Sequence, residues 1–434
     1  MTADRRESDR ATIKRRMMDL VDELYPLPRS ITGEGVRKTL RVLQRFIPLE
    51  VHEVATGTQV LDWTVPREWT IRDAYIKDAT GHRIVDFNSS NLHVVGYSVP
   101  VHATMSLAEL RPHLHSLPDR PSWIPYRTSY YHETWGFCLS HDQLLALDEG
   151  PFEVRIDSDL RDGHLTYGEL VLPGETRDEI LVSTHICHPS LANDNLSGIA
   201  VATFLAAELQ HAPRRHTVRF LFAPGTIGSL TWLSLHEHDL RVRHGLVLAG
   251  VGDGGNLTYK RSRRGDADVD RAVQIALRDS GVAHTVQDFS PWGYDERQFN
   301  SPGFNLSVGS LMRTVHGTYP EYHTSADDLG FVRPDRLQES LETCRAVVGI
   351  LEADRRYLNL SPKGEPALGR RGLYSPIGGS EAPVDRLAML WVLNLSDGSH
   401  SLIDVAERSG LAFPAISDAA RSLEKAGLLE ARPG

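Results

Sequence analysis

The period of hydrophobic and polar positions changes along the chain. Between residues 10 and 47, apolar side chains recur at helical spacing on both sides of the break at Tyr25-Pro-Leu-Pro28, which predicts two helices. Between residues 58 and 155, apolar and polar positions alternate around turns, which predicts β-structure. From residue 164 to 360, buried strands such as EILVSTH alternate with amphipathic helices such as SGIAVATFLAAELQ. This order is typical of α/β architecture.

The C-terminal part has a different texture. A Gly- and Pro-rich stretch precedes three helical segments, whose order and size are typical of a winged-helix or helix-turn-helix module. From Asp385 to Gly434 there are five Lys and Arg against seven Asp and Glu. Because a DNA-binding module should be basic, we interpret this tail as a packing or protein-contact module.

These patterns predict four parts. An α/β domain is discontinuous and comprises residues 1–57 and 156–360, with a β-rich domain of residues 58–155 inserted into it. Residues 361–383 form a linker, and residues 384–434 form the winged-helix-like domain.

Composition restricts the partners and the compartment. The net charge of −10 and the isoelectric point near 6.1 give no reason for attraction to nucleic acid or to an anionic membrane. The three cysteines are far apart and odd in number, which favours reduced thiols. The first residues are too polar for a signal peptide, and no apolar run reaches the roughly 18 residues of a spanning helix. We therefore expect a cytoplasmic protein.

Four side chains are candidate metal ligands. His185 ends the strand EILVSTH, and Asp194 follows it just before a predicted helix. Asp253 ends another apolar strand, and His323 lies in a polar loop. Open α/β sheets place their functional groups at the carboxyl ends of strands. Two imidazoles and two carboxylates would suit Zn²⁺ or a related divalent ion.

Four motifs contain these and neighbouring residues: STHICHPSLANDNLSG (183–198), VGDGGNLTYKRSRRG (251–265), SPWGYDERQF (290–299) and TYPEYHTSADDL (318–329). As an ordered set, these motifs resemble those of zinc aminopeptidases and glutamate carboxypeptidase-type metallopeptidases with co-catalytic metal sites. More closely, nearly the whole chain is similar to bacterial aminopeptidase-like proteins found among polysaccharide and natural-product biosynthesis proteins. That group shares YPLPRSITGEG, the inserted β-rich domain and the winged-helix tail.

The resemblance implies a zinc-exopeptidase-like fold, a mixed sheet flanked by helices. It also implies that His185 and Asp253 bind a first metal ion, that Asp194 bridges two ions, and that His323 binds the second.

The chain departs from the peptidase pattern at two places. Gly225 and Thr226 stand where the peptidases carry two adjacent glutamates, the general base and a ligand of the second metal. Cys187 stands where they usually carry an aspartate, and it is either a ligand or a packed thiol. We therefore expect one tightly bound zinc or other divalent transition-metal ion. The sequence leaves open whether a second ion binds.

Other residues could complete the site. His188 and Glu296 are candidates for the missing base, and His188 is also a candidate ligand. Arg263, Tyr294 and Arg313 are candidates for substrate binding, since arginine can clamp a carboxylate or phosphate. A solvated basic turn is the alternative reading of Arg263.

The predicted function is that of an aminopeptidase-like metallohydrolase of an amide or peptide-like bond in a small, biosynthetic substrate. The alternatives are a metalloenzyme of different chemistry on a natural-product or polysaccharide intermediate, and a catalytically inactive binding or scaffold protein. The expected partner is a small-molecule or short peptide-like substrate. We expect neither a membrane nor nucleic acid as a partner, and a homo-oligomer stays open.

Overall fold

The structure, a computed structural model, describes residues 3–373 and 386–432. Residues 374–383 of the predicted linker therefore lie outside the described residues. The predicted domain boundaries stay a prediction. No helix in the described ranges is both long enough and apolar enough to cross a membrane.

The helices are α1 (Ala3–Leu24), α2 (Glu34–Leu43), α3 (Leu107–Leu110), α4 (His141–Leu145), α5 (Gly198–Leu209), α6 (Ile227–His236), α7 (Asp268–Ser280), α8 (Glu296–Phe299), α9 (Pro334–Ala353), α10 (Arg386–Leu395), α11 (Leu402–Ser409) and α12 (Phe413–Lys425).

The strands are β1 (Glu50–Ala55), β2 (Gln59–Val60), β3 (Trp63–Thr64), β4 (Glu68–Lys77), β5 (Arg83–Asp86), β6 (Val101–Met105), β7 (Leu114–His115), β8 (Phe137–Cys138), β9 (Phe152–Arg161), β10 (His164–Leu172), β11 (Glu179–His185), β12 (Thr217–Ala223), β13 (Val242–Leu248), β14 (Leu257–Lys260), β15 (His284–Gln287), β16 (Val308–Met312), β17 (Arg356–Asn359), β18 (Asp397–Ser401) and β19 (Leu429–Ala431).

The chain divides into two compact units, Met1–Arg264 with Gln287–Leu341 and Gly265–Val286 with Glu342–Gly434. In the first unit, a mixed sheet has the strand order β1-β10-β12-β11-β13-β16-β14. Strands β12, β11, β13 and β16 run parallel, while β1, β10 and β14 pair antiparallel to their neighbours. Every residue of β11 is buried, as expected of a strand with parallel neighbours on both sides.

The inserted β-rich region also belongs to the first unit. Its antiparallel sheet has the order β5-β4-β9-β6, and β9 continues to Arg161, past the predicted end at residue 155. The side chains of Phe152, Val154 and Ile156 point to one face of β9 and are buried, because successive side chains of a strand alternate between its faces.

The second unit contains the winged helix. Helices α10, α11 and α12 accompany an antiparallel sheet of order β18-β17-β19. Helix α11 begins at a capping box, in which the Ser401 hydroxyl accepts the Asp404 N–H and the Asp404 carboxylate accepts the Ser401 N–H. It ends at Gly410, whose φ of 68° is the left-handed conformation that glycine adopts without strain. The predicted fold class, a mixed α/β sheet flanked by helices with an inserted β-rich region and a C-terminal winged helix, is confirmed.

Candidate functional site

Asp194 is the centre of a buried polar cluster at the carboxyl ends of the parallel strands. Its Oδ1 accepts a hydrogen bond from Nε2 of His185 at 2.8 Å, and its Oδ2 accepts one from Nε2 of His323 at 3.0 Å. The Tyr294 hydroxyl donates to the same Oδ2 at 2.8 Å, and Nε2 of His188 lies 3.9 Å from it. Burial alone would raise the pKa of Asp194, but the three imidazoles hold it well below its ordinary value. The cluster therefore combines an ionised carboxylate with three imidazoles.

The turn that carries Asp194 is fixed from two sides. The buried carboxylate of Asp327 accepts the backbone N–H groups of Asn193 at 2.6 Å and of Asp194 at 2.9 Å. Gly198 begins α5 where a Cβ would lie 2.6 Å from the carbonyl oxygen of Leu248 in β13. A side chain at residue 198 would push the helix away from the strand, so glycine allows this close approach.

His185 and His188 extend from the end of β11. The ring of His185 stacks on that of Tyr294, with 4.5 Å between the ring centroids. Burial is the main cause that lowers the pKa of His188 to about 3, so this imidazole is neutral at pH 7 and has a free nitrogen lone pair. The backbone carbonyl of His188 accepts a hydrogen bond at 2.8 Å from Nε of Arg29, a buried residue of the N-terminal YPLPRS segment.

His323 is held by the β-rich region. Its φ of 57° lies in the left-handed region, which is uncommon for a residue with a side chain. The Tyr126 N–H donates to the His323 carbonyl at 2.8 Å, and the two rings meet edge-on at 5.1 Å. The inserted region thus contributes directly to the position of the third imidazole.

These side chains fit a divalent transition metal. The potential ligand atoms of His185, His188 and Asp194 lie within 4.8 Å of one another, and His323 contacts the same carboxylate. Imidazole nitrogen and carboxylate oxygen are typical donors to zinc, and the ligating imidazole must be neutral, as His188 is.

Asp253, the other expected ligand of the first metal, lies in a separate hydrogen-bond network, and its role as a ligand stays a prediction. Its carboxylate accepts hydrogen bonds from the Thr314 hydroxyl and the Gly255 N–H, each at 2.7 Å, and from Nδ2 of Asn193 at 3.0 Å. Within the described ranges, Asp253 does not belong to the closely spaced ligand group. Its donors come from its own loop, from Thr314 in the segment after β16 and from Asn193, the residue before Asp194.

The position of the missing glutamate has a buried carboxylate beside it. A Cβ on Gly225 would lie 3.1 Å from Cβ of His185 and 3.5 Å from Oδ1 of Asp295. Oδ1 of Asp295 accepts the Ser229 hydroxyl at 2.9 Å, and Oδ2 has no hydrogen-bond partner among the described residues. Burial raises the pKa of Asp295 to about 6. Residue 225 lacks the expected acid, and the carboxylate of Asp295, from another segment of the chain, lies beside it.

Cys187 lies close to the same glycine. Its thiol is fully buried and is 3.7 Å from the Gly225 carbonyl oxygen. Burial raises the pKa of this thiol to about 12, which disfavours the thiolate that a metal needs. The geometry therefore favours a packed thiol.

Glu296 does not reach the cavity. Its fully buried carboxylate forms an ion pair with the Lys260 ammonium and accepts the Tyr294 N–H at 3.1 Å. The ion pair with Lys260 makes Glu296 less suited to accept a proton than an unpaired carboxylate, and its role as a base stays a prediction.

The two predicted substrate-binding arginines lie away from the cluster. Arg263 is exposed, and its side chain donates to Oδ1 of Asn305 at 2.9 Å. Arg313 is fully buried and donates to the carbonyls of Val251 and Gly255 and to the Glu339 carboxylate. Because neither lines the cavity, the structure gives Arg313 a structural role in place of a substrate contact. Tyr294, the third candidate, does line the cavity.

A cavity of about 370 Å³ opens beside the cluster, within the size range of small-molecule sites. The β-rich region and the α/β core both contribute to its wall. The lining residues are Ile31, Trp63, Tyr126, Thr128, Tyr130, Tyr131, His188, Gly225, Thr226, Ile227, Leu230, Trp292, Gly293, Tyr294, Arg297, His316, Tyr322 and His323.

Sequence reasoning missed several of these residues. Asp295 and Arg297 lie in the motif SPWGYDERQF, from which Tyr294 and Glu296 were predicted, and Asp327 lies in TYPEYHTSADDL, from which only His323 was predicted. His316 lines the cavity with neither ring nitrogen hydrogen-bonded to a described residue, and no motif points to it. Burial was the signal that could have separated these residues, and it depends on the tertiary structure.

Solved structures show the class of fold. A zinc aminopeptidase from Bacillus subtilis matches with a TM-score of 0.55 at 13% identity, covering 77% of this chain and 94% of that one. A peptidase M28 precursor from Shewanella amazonensis matches with a TM-score of 0.54 at 15% identity, covering 81% and 97%. The fold is therefore that of the M28-type aminopeptidases.

The chain belongs to the family described as "Domain of unknown function (DUF4910)", whose model matches residues 18–354, and a winged helix-turn-helix model matches residues 355–431. It is 52% identical over 414 residues, 95% of each chain, to a Clostridium acetobutylicum protein whose name describes polysaccharide biosynthesis and an aminopeptidase-like domain. A crystal structure from the same organism, described as a peptidase, has a TM-score of 0.94 at 49% identity and covers 99% of both chains.

Proposed function

We propose that this protein is a metal-dependent hydrolase that cleaves an amide or peptide-like bond in a small substrate. The convergence of three imidazoles on the ionised Asp194, beside a cavity, is the observation that carries the proposal. His185, His188, Asp194 and His323 would hold one divalent ion, and zinc matches these donors best. When bound, such an ion supplies a Lewis acid that polarises a carbonyl oxygen and lowers the pKa of water.

Asp295 is the proposed proton acceptor. Gly225 lines the cavity and has no side chain between its backbone and the buried Asp295 carboxylate, whose Oδ2 has no hydrogen-bond partner among the described residues. As the oxygen of water bonds to the carbonyl carbon, Asp295 takes the water proton; it then returns the proton to the nitrogen as the C–N bond breaks. Tyr294 stays protonated, since burial and Asp194 raise its pKa well above the ordinary value, and its hydroxyl holds Asp194 in place.

The name of the C. acetobutylicum relative supports a substrate from polysaccharide biosynthesis. Two alternative functions are tested against this proposal. One is a metalloenzyme of different chemistry on such an intermediate, and the other is an inactive binding or scaffold protein.

Metal analysis of the purified protein tests the ligand set. We expect one zinc ion per chain by mass spectrometry, lost in His185→Ala and Asp194→Asn. His211→Ala is the matched control, because His211 is exposed and does not line the cavity, and it should keep the ion. Two stoichiometric ions, or full retention in Asp194→Asn, would contradict this assignment.

Activity tests the role of Asp295. Amine release is measured with N-acetylated amino sugars, dipeptides and aminoacyl anilides. We expect turnover that a chelator abolishes and zinc restores, with the anilides poor substrates because residue 225 lacks the usual glutamate. Asp295→Asn keeps the shape and the acceptor for Ser229, and it should lower kcat about 100- to 10,000-fold with zinc content unchanged. If Asp295→Asn were as active as the wild type, this acceptor would be excluded, and zinc without any turnover would favour the binding protein.

A further inference from the structure

The lining of the cavity carries a positive charge without a carboxylate beside it. No aspartate or glutamate is among its lining residues, all of which the structure describes, and Arg297 is the lining residue with a permanent charge. A substrate with a free ammonium group would meet this cation without a carboxylate in the lining to balance it. The wall therefore favours a substrate of negative charge.

Arg297 forms no ion pair with a described residue. The charge of Arg297 nevertheless acts on the Asp295 carboxyl group and lowers its pKa, against the larger effect of burial. The Nε of Arg297 is buried and has no hydrogen-bond partner within the described part of the chain. The Arg297 side chain is partly exposed and lines the cavity, so an anion bound there could accept hydrogen bonds from the accessible part of its guanidinium. Carboxylates and phosphates match the guanidinium fork and can accept two parallel hydrogen bonds from it.

Exposed aromatic rings line the same cavity. Trp292, two residues before Tyr294, is 74% exposed, and Trp63 and Tyr131 from the β-rich region are 47% and 48% exposed. Large aromatic side chains are usually buried unless they bind something, and their faces suit the flat, apolar faces of another ring. Cation and aromatic rings thus line one compartment next to the Asp194 cluster.

We propose that the cavity binds an anionic ring compound, an acidic sugar derivative with a carboxylate or phosphate, whose anionic group pairs with Arg297 and whose ring packs on the exposed aromatic side chains. For the reaction that follows binding, this inference rests on the proposed hydrolase function. Arg297 is thereby a specificity-determining residue, and ordinary peptides with a free amino terminus are disfavoured.

Isothermal titration calorimetry on the zinc-loaded full chain tests the inference with two matched pairs of probes. D-glucuronate is compared with D-glucose, and N-acetylglucosamine 1-phosphate with N-acetylglucosamine, so that the carboxylate and phosphate sources are separated. We expect at least one acidic member to bind about tenfold more tightly than its neutral partner, with an affinity that falls as salt rises.

Three variants locate the effect. Arg297→Gln should abolish the preference for the acidic probe, and Arg297→Lys should keep part of it, because lysine retains the charge but not the fork. Arg243→Gln is the matched control, since Arg243 is 52% exposed and lies outside the cavity, and it should behave as the wild type. Zinc content and unfolding temperature, measured for each variant, show that the site is intact.

The outcomes separate this inference from the proposed function. It is overturned if neither acidic probe binds more tightly than its neutral partner, or if Arg297→Gln keeps the preference while His185→Ala loses it, which would place the anion on the metal. Neither result depends on turnover. Conversely, a chain that holds no zinc would contradict the hydrolase while leaving an Arg297-dependent preference intact.

Discussion

At residue 225, where a glutamate was expected, a carboxylate from elsewhere in the chain lies close by. Gly225 cannot accept a proton, yet the Asp295 carboxylate lies where a Cβ on Gly225 would come within 3.5 Å of it. The carboxylate of a second buried acid, Asp327, accepts the backbone N–H groups of Asn193 and Asp194 and does not contact the side chain of a candidate ligand. Asp295 thus lies beside the cluster, whereas Asp327 holds the backbone of the turn that carries Asp194.

Asp327 should control metal affinity through the turn. Burial raises its pKa to about 8, yet its two oxygens accept two N–H groups. In Asp327→Asn one acceptor becomes an NH₂ group facing a backbone donor, so we expect zinc affinity to fall about 10- to 100-fold in competition with a chelating dye. Asp328→Asn is the neighbouring control, because Asp328 is exposed and only accepts N–H groups of its own turn. Equal affinities in the two variants would remove Asp327 from the positioning network.

At the scale of elements, an ion network joins three strands of the central sheet. Arg219 of β12 donates to the Glu179 carboxylate of β11 at 2.7 and 2.6 Å and to Glu169 of β10 at 2.7 Å. Trp232 of α6 donates to Glu169 at 2.6 Å as well. The network spans the change from parallel to antiparallel pairing, and it helps to hold the strands whose ends carry the site.

Removing Arg219 should destabilise the first unit strongly. The side chains of Arg219, Glu169 and Glu179 are only 14%, 9% and 10% exposed, so Arg219→Ala would leave two buried carboxylates without their cation. We expect a loss of about 3–5 kcal/mol in the free energy of unfolding, measured by urea denaturation. Arg243→Ala breaks a pair whose partners are 52% and 48% exposed, and it should cost less than about 1 kcal/mol. Similar losses in both variants would argue against the network.

At the scale of the whole molecule, the polar cluster around Asp194 and the cavity belong to one unit. All proposed ligands lie within Met1–Arg264 and Gln287–Leu341, whereas the winged helix lies in the other unit. The second unit has its own helix caps and its own ion pairs, such as those that join Arg271 of α7 to Asp404 and Glu407 of the winged helix. The net acidity of the winged helix gave no sign of a nucleic-acid partner.

Zinc should therefore stabilise the two units unequally. At about 1,000 times its dissociation constant, a ligand that binds only the native state adds about 4 kcal/mol. We expect hydrogen–deuterium exchange to show zinc-dependent protection in β11, in the turn around Asp194 and near His323, and none in residues 386–432. The His185→Ala variant should show no protection from zinc in any segment. Equal protection of the winged helix would mean that metal binding is coupled to the second unit.

Hydrophobic periodicity by itself determined the elements and the class of this protein. Full burial of EILVSTH, the alternation in β9 and the helical spacing of α2 and α5 follow from side-chain patterns that are local in the chain, so α/β, β-rich and winged-helix parts could be predicted. The sequence also indicated His185, Asp194 and His323 as candidates, because they lie at strand ends or in the ordered motifs.

Only the tertiary structure decided which acids and cations meet in the site. Asp253 and Asp295 both look like loop aspartates in the sequence. The carboxylate of Asp253 accepts hydrogen bonds from Thr314 and Gly255, whereas Asp295 lies beside Gly225 with one oxygen that has no hydrogen-bond partner among the described residues. Arg313 and Arg297 differ in the same way. Arg313 donates its hydrogen bonds to backbone carbonyls and Glu339, whereas Arg297 lines the cavity. Burial and hydrogen-bond partners depend on contacts distant in sequence, and they, not residue type, determine what each charged group can do.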